Sequence, residues 1–453
     1  QAWQVLGEGA AASRFEATAG SGLSPLVGRQ EEVGLVLNRW RQTQDGEGQV
    51  VVFSGEAGVG KSRIVEAFRS RLDDGSFGAL SLSCSPFHTN SALYPVIECL
   101  GRVMGFERDD APSARADKLD AFIDNLELPP ADIAPYLASV LFESDMERYD
   151  LAPDSLEEQR KKVSEALLAL MLAQSQRRPM IMVVEDAQWL DPSSAEFLGL
   201  LIERLRNWRL FMLITARPDF EPRWGSHPHL TTLALNRLSR SDSAALVQHV
   251  TAGRELPEAV LEQIVTKTDG IPLFVEELTK TVLETGLVEE RDGRYQLVGP
   301  PGDLAIPASL QDALMARLDR LGQVKEVAQL AAVLGRRFPQ ALLAAVSQLG
   351  AEALQTALDQ LVEAEVLFQS SLPPAASYEF KHGMVQETAY GSLLKSTRQR
   401  HHGEIAETLA ADFPETAAGE PELLAHHYSE AGLAEAAVPY WQRAGQRAAE
   451  RWA

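Results

Sequence analysis

Eight consecutive residues constrain this chain more than any other feature. Gly55-Glu56-Ala57-Gly58-Val59-Gly60-Lys61-Ser62 fits the pattern G-x-x-x-x-G-K-S/T. An apolar run, Val50-Val51-Val52-Phe53, precedes it, and Ile64, Val65, Phe68 and Leu72 follow at helical spacing. The apolar run predicts a strand buried on both faces, and the spacing after it predicts a helix. Glycines in such a turn let the backbone wrap a phosphate group, with successive N–H groups and the helix N-terminus pointing at the anion. Lys61 would reach the β- and γ-phosphates of ATP, and the Ser62 hydroxyl would join the shell of its magnesium ion. Strand, loop and helix together predict a nucleotide site running from Gly55 through Ser62 to the adjoining Arg63.

The rest of the chain must supply the wall opposite that loop. Further apolar runs recur at Ala79–Leu82, Met180–Val184, Leu210–Ile214 and Leu230–Leu235, with helical stretches between them. Strands alternating with helices predict a parallel sheet covered by helices on both faces. The segment from about 91 to 173 is helical and too long for one crossover, so it reads as an insertion whose last helix opens with a Ser155/Glu158 capping box. After about Arg240 no strand-like run is expected until Val366. Val366–Gln369 and Tyr378–Lys381 flank Pro373-Pro374 and predict a hairpin; helices followed by such a hairpin suggest a winged-helix module. Two Ala-rich amphipathic helices meeting at Gly432 resemble one tetratricopeptide-type pair, which needs neighbours to bury its own face.

These elements divide the chain into a small, polar linker over 1–24 and a nucleotide-binding α/β domain over 25–240. A helical lid over 241–300, a winged-helix domain over 301–400 and the start of a helical repeat over 401–453 follow. The absence of an initiator Met at Gln1 and a helical pattern running to Trp452-Ala453 suggest a piece of a longer polypeptide. Charge narrows the partners: 64 acidic against 42 basic residues give a net charge of −22, which disfavours DNA and anionic membrane surfaces. No apolar run approaches the length of a membrane span, and two cysteines, Cys84 and Cys99, point to a reducing, cytoplasmic setting.

A magnesium-dependent site also needs an acid at the end of a later buried strand. Met180–Val184 leads into Glu185-Asp186, a pair suited to holding magnesium and orienting water. Order along the strand gives Glu185 the metal side and Asp186 the base position, and a one-residue shift would exchange the two roles. Asp191-Pro192 just beyond reads as a helix start, with Asp as N-cap and Pro at the first helical position. His401-His402 and His426-His427 are adjacent pairs without cysteines and suggest no metal cluster.

Taken in order, five segments resemble the STAND class of signal-transduction ATPases. They are Pro25-Leu26-Val27-Gly28-Arg29, the phosphate loop, Glu185–Asp191, Thr215-Ala216-Arg217-Pro218 and Asp269–Phe274. The resemblance is strongest to bacterial AAA-like modules fused to nucleotidyl cyclases, protein kinases or LuxR-type domains. It implies a sheet of order 5-1-4-3-2 and an ADP-closed, ATP-open switch of low turnover. Val27, Gly28 and Arg29 would pack against adenine, Arg217 would sense the γ-phosphate and Pro272 would approach the base. His382, in a stretch resembling the Met-His-Asp motif of resistance switches but with Gly383 where that motif has Asp, would contact the β-phosphate of ADP. The resemblance further implies a protein partner or ligand on the repeat array and allows a nucleotide-dependent homo-oligomer. Two rivals remain: a transcription regulator binding DNA through its winged helix, and the regulatory half of an adenylate or guanylate cyclase fusion. The first is disfavoured locally, because Ala351 to Leu361 carries Glu352 and Asp359 and no Lys or Arg.

Overall fold

A computed structural model of the protein describes residues 26–452 except 73–74, 108–109, 143–147, 150–154, 223, 292, 299–306 and 372–375. The expected linker over 1–24 and the Pro373-Pro374 turn lie outside the described residues.

The first half is built on one sheet. Helix α1 (Gln30–Gln44) leads into β1 (Gln49–Ser54), the loop and α2 (Lys61–Arg69), then β2 (Gly78–Ser83). Four helices follow: α3 (Tyr94–Val103), α4 (Pro112–Asn125), α5 (Pro130–Leu141) and α6 (Leu156–Arg177). The sheet then resumes with β3 (Met180–Glu185), α7 (Pro192–Arg204), β4 (Leu210–Ala216) and β5 (Leu230–Ala234). Strand order is β2-β3-β4-β1-β5, with every neighbouring pair parallel. That is the 5-1-4-3-2 order implied by the resemblance, read from the other edge.

Alternation along the strands explains why both faces are covered. Val51, Phe53, Ile181, Val183, Phe211 and Leu213 form one core with Val33, Val36 and Trp40 of α1 and Ile64 and Phe68 of α2. Val50, Val52, Met180, Met182, Met212 and Ile214 face the other way and pack under α3 to α7. Ser155 caps α6 by accepting the Glu158 N–H at 3.3 Å, and Asp191 caps α7 by accepting the Ser194 N–H at 2.9 Å, as the sequence predicts.

The second half is mostly helical. It contains α8 (Arg240–Val250), α9 (Glu258–Thr268), α10 (Pro272–Glu284), a short hairpin of β6 (Val288–Arg291) and β7 (Arg294–Leu297), α11 (Leu310–Arg320) and α12 (Val324–Leu334). Next come β8 (Arg337–Pro339), α13 (Gln340–Val346), α14 (Ala351–Glu363), β9 (Leu367–Ser371), β10 (Ser377–Phe380) and α15 (Gly383–Gly391). The final helices are α16 (Lys395–Asp412), α17 (Pro414–Gly419), α18 (Pro421–Glu430) and α19 (Ala434–Trp452). Strands β9 and β10 pair antiparallel, which is the expected hairpin, and β8 joins them as a third strand.

One expectation fails here: β6, β7 and β8 lie where no strand was foreseen. Strands β6 and β7 are four residues each, rich in charge and largely exposed, so no apolar run marks them. What holds them is their antiparallel ladder, with Val288 opposite Leu297 and Arg291 opposite Arg294. One contiguous apolar core runs from Leu238 to Ala437 and joins these elements. Helix α19 reaches back to touch α5 and α6, so the second half folds against the first.

Candidate functional site

Because the five strands are parallel, all their carboxyl ends fall on one edge of the sheet, where open α/β sheets bind ligands. A cavity of about 500 Å³ lies against that edge, within the usual size range of small-molecule sites. Its floor is Ala57 to Arg63, and its other walls bring Val27, Arg29, Asp186, Arg217, Pro272 and His382 together. Four of the expected residues, Gly28, Gly55, Glu56 and Glu185, stand outside its lining. Glu56 turns to the exterior and pairs with Arg237 at 3.0 Å, Gly28 packs against Asp242, and Gly55 lies behind the loop.

The loop has the backbone that phosphate wrapping needs. Gly58 and Gly60 have φ of 78° and 101°, a region that side chains with a Cβ rarely enter. Gly60 thereby turns the chain straight into α2, with Lys61 as its first residue. The Lys61 ammonium donates to the carbonyls of Gly55 at 2.7 Å and Glu56 at 2.9 Å. Burial pulls its pKa below the ordinary lysine value and Arg217 adds to the shift, while Asp186 opposes it. Arg29 is buried and braces the loop by donating to the carbonyls of Val59 and Asn236. Arg63 has its pKa lowered by burial, opposed by Glu276 of α10 and by Glu66.

The acidic pair divides in an informative way. Asp186 lines the cavity, whereas Glu185 ends β3 and pairs in register with Ser83. Asp186 sits in the left-handed region at φ 57°, fixed by its own N–H donating to Thr215 Oγ1 at 3.1 Å. Its Oδ1 accepts from Gln188 Nε2 at 3.3 Å, and its Oδ2 accepts from Arg336 Nη1 at 2.6 Å. Arg217 begins where β4 ends and lies 5.8 Å from the Trp189 ring centroid. Its N–H donates to Gln188 Oε1 at 3.1 Å, and its guanidinium donates to Glu387 at 2.7 Å.

On the opposite wall Pro272 opens α10 after Gly270, and His382 is the N-cap residue of α15. Asp191, by contrast, is buried in a structural role: it also accepts the Leu93 N–H at 3.0 Å, and burial raises its pKa. Gln188, Trp189, Glu276, Arg336 and Glu387 line the cavity without having been singled out from the sequence. Gln188 and Trp189 lay inside the Glu185–Asp191 segment and Glu387 ends the stretch around His382, but Arg336 carries no local signal.

A nucleotide with magnesium fits this donor set. Positive-φ glycines present backbone N–H groups, Lys61 supplies a charge, and Ser62 with Asp186 supplies hard oxygen ligands. Among the described residues no group of three or more His, Cys, Asp or Glu gathers for a metal ion. Magnesium keeps water and phosphate oxygens as most of its ligands, so Ser62 and one carboxylate would be enough protein donors to hold it.

Residues 25–214 match the family model of the AAA ATPase domain. Over that segment the chain is similar to AAA ATPase domains. The motif resemblance to STAND-class ATPases agrees with this match at the level of the phosphate-loop ATPase domain. Along 99% of its length the chain is 29% identical to an uncharacterized protein of Rhizobium meliloti (strain 1021), and it spans 43% of that relative. Among solved structures it is similar to a STAND protein with a tetratricopeptide repeat sensor from Pyrococcus horikoshii, at 12% identity and a TM-score of 0.46. That match covers 94% of this chain and 59% of the other. It is also similar to the ORC1 protein of Aeropyrum pernix in complex with DNA, at 13% identity and a TM-score of 0.36 over 83% and 96% of the two chains. Among the described residues no helix is long and apolar enough to cross a membrane.

Proposed function

We propose that the chain is an ATP-binding, slowly hydrolysing STAND-type switch within a larger bacterial protein. One observation carries this reading: the cavity takes its floor from Ala57–Arg63 and its opposite wall from α10, Arg336 and the start of α15. A nucleotide there would touch both halves and could set how they pack. Leu26, Val27, Leu238, Leu246 and Leu273 give an apolar end suited to a base, and Lys61 and Arg217 give a cationic end suited to phosphates.

In the proposed reaction the loop amides and Lys61 hold the β- and γ-phosphates, and Arg217 faces the γ-phosphate. Ser62 with one member of the Glu185/Asp186 pair would hold magnesium, which draws charge from the phosphate oxygens. Asp186, the member inside the cavity, is the better placed to orient the attacking water and take its proton. We assign His382 to the β-phosphate of ADP, and Val27, Gly28, Arg29 and Pro272 to the adenine side.

The domain limits at about 24, 240, 300 and 400 belong to the same proposal, with 301–400 as a winged helix and 401–453 as the start of a repeat array that receives a protein or ligand. The order α11, α12, α14, β9, β10 supports the winged-helix part. Its α14 carries Glu352, Asp359 and Glu363, so DNA is not the partner we favour. Two free thiols, Cys84 and Cys99, support the cytoplasmic setting.

The test is direct. The purified chain is denatured, any released nucleotide is identified by chromatography, and phosphate release from ATP is followed for wild type and Lys61→Ala. Adenine nucleotide and a slow release that Lys61→Ala abolishes are expected. A chain that neither binds nor cleaves ATP would sink the reading.

A further inference from the structure

Two ion pairs cross the cavity, and together they engage both charged groups expected to act on the γ-phosphate and its water. Arg336, the residue before β8, donates from Nη1 to Asp186 Oδ2 at 2.6 Å. Glu387, on α15, accepts from Arg217 Nη2 at 2.7 Å. The polarity is opposite in the two pairs: the second half offers a cation to the acid and an anion to the arginine. Gln188 ties the pairs to each other, since its amide donates to Asp186 Oδ1 and its carbonyl accepts the Arg217 N–H. Both partners lie far along the chain, 150 and 170 residues away, so only tertiary packing brings them here.

Folding stability does not account for this placement. Side-chain exposure is 28% and 30% for Arg336 and Asp186, and 35% and 50% for Arg217 and Glu387. Ion pairs of such exposure contribute little to stability. Their placement bears instead on the chemistry. A carboxylate whose two oxygens already accept from a guanidinium and an amide has less capacity to orient water. An arginine neutralised by a carboxylate attracts a phosphate less.

We propose that Arg336 and Glu387 are positioning residues that hold Asp186 and Arg217 away from hydrolysis, and that the two pairs must part for turnover. The proposal rests on the ATPase reading of the site. An arriving γ-phosphate competes with Glu387 for Arg217, because both are anions, and repels Glu387 from the cavity. ADP, which lacks that group, does neither. Loss of the Glu387 contact frees Arg217 on the side of the cavity where His382 caps α15. The chemical step is then ordinary: the water oxygen bonds to the γ-phosphorus and the water proton passes to the freed carboxylate. The bond to the bridging oxygen breaks, and its electron pair leaves with ADP.

The experiment uses the whole chain under single-turnover conditions, measuring phosphate release from ATP for wild type, Arg336→Gln, Glu387→Gln and the double variant. Each single variant should hydrolyse about two- to fivefold faster than wild type, the range expected for pairs of this exposure. Arg336→Lys and Glu387→Asp should return toward wild type because they keep the charge. Raising the ionic strength should accelerate wild type and leave the double variant unchanged, since salt screens exposed pairs; a merely structural role would not give that difference. Glu387 is half exposed, so Glu387→Gln carries the test alone should Arg336→Gln fail to fold. Folded variants with rates at or below wild type, or a wild type indifferent to salt, would overturn the lock while leaving the ATPase intact. Failure of wild type itself to bind ATP would overturn the ATPase reading, and the lock with it.

Discussion

Lys61 occupies its ammonium with two carbonyls of its own loop, at 2.7 and 2.9 Å, while burial holds its pKa down. A nucleotide's phosphates would take over those hydrogen bonds as charge-assisted ones. Lys61→Ala should therefore weaken ATP binding by about 1.5–3 kcal/mol, some ten- to a hundredfold in dissociation constant by calorimetry. Wild-type affinity in the variant would remove Lys61 from the site. A second residue is fixed by backbone rather than charge. Gly270 sits at φ 71°, and a Cβ there would lie 2.3 Å from the Leu238 carbonyl oxygen, which cannot easily yield. Gly270→Ala should cost about 1–3 kcal/mol for the strained backbone alone, read as a lower urea midpoint. An unchanged midpoint would show that the turn before Pro272 adjusts freely. At this scale the sequence is informative where chemistry is local. Lys61, Ser62 and Asp186 announce themselves by neighbours a few positions away. Arg336 and Glu387 do not, because partners 150 and 170 residues distant define what they do.

Among the elements, the central strands β1, β3 and β4 were legible because burial on both faces forces long apolar runs, and β4 is buried at all seven positions. The edge strands β2 and β5 are partly exposed and carry mixed runs. Hairpin β6–β7 was not legible, since exposed strands need no such run. Nor was the contact between the two histidine pairs, because it joins helices 25 residues apart in the chain. Buried His402 of α16 and His427 of α18 meet Nδ1 to Nδ1 at 2.8 Å, an arrangement that requires one ring to donate and the other to accept. Tyr390 meets His402 Nε2 at 3.0 Å, and His401, His426 and Arg398 add positive charge nearby. Phe87 stacks on His427. Burial lowers the His402 pKa to about 4 and moves His427 well below the ordinary value. A folded pKa below the unfolded one means that the unfolded chain binds more protons between roughly pH 6.5 and 4, so stability falls as pH drops through that window. We expect the urea midpoint to fall between pH 7.5 and 5, and to fall further for wild type than for His427→Gln. Equal losses in both proteins would show that the pair does not sense pH.

For the molecule as a whole, the decisive feature is that one cavity has walls from both halves. Sequence reasoning anticipated the floor, because a phosphate loop is a local motif. It could name Pro272 and His382 only through resemblance, since nothing local says that α10 and α15 face the loop. If nucleotide binds as proposed, its free energy must stabilise both walls, because ligand that binds only the folded arrangement adds RT ln(1 + [L]/Kd) to it. At a hundredfold excess over Kd that is about 2.7 kcal/mol, enough to suppress local opening roughly a hundredfold where opening breaks the site. Hydrogen exchange with and without ADP should therefore show slower exchange in residues 55–63 and also in α10 and α15, more than 200 residues further on. His382→Ala should lose the protection of α15 while keeping that of the loop, because the loop's contacts to the phosphates survive. Protection confined to residues 55–63 in wild type would mean that ADP is held by the first half alone. The second half would then be packed against the site without reading it.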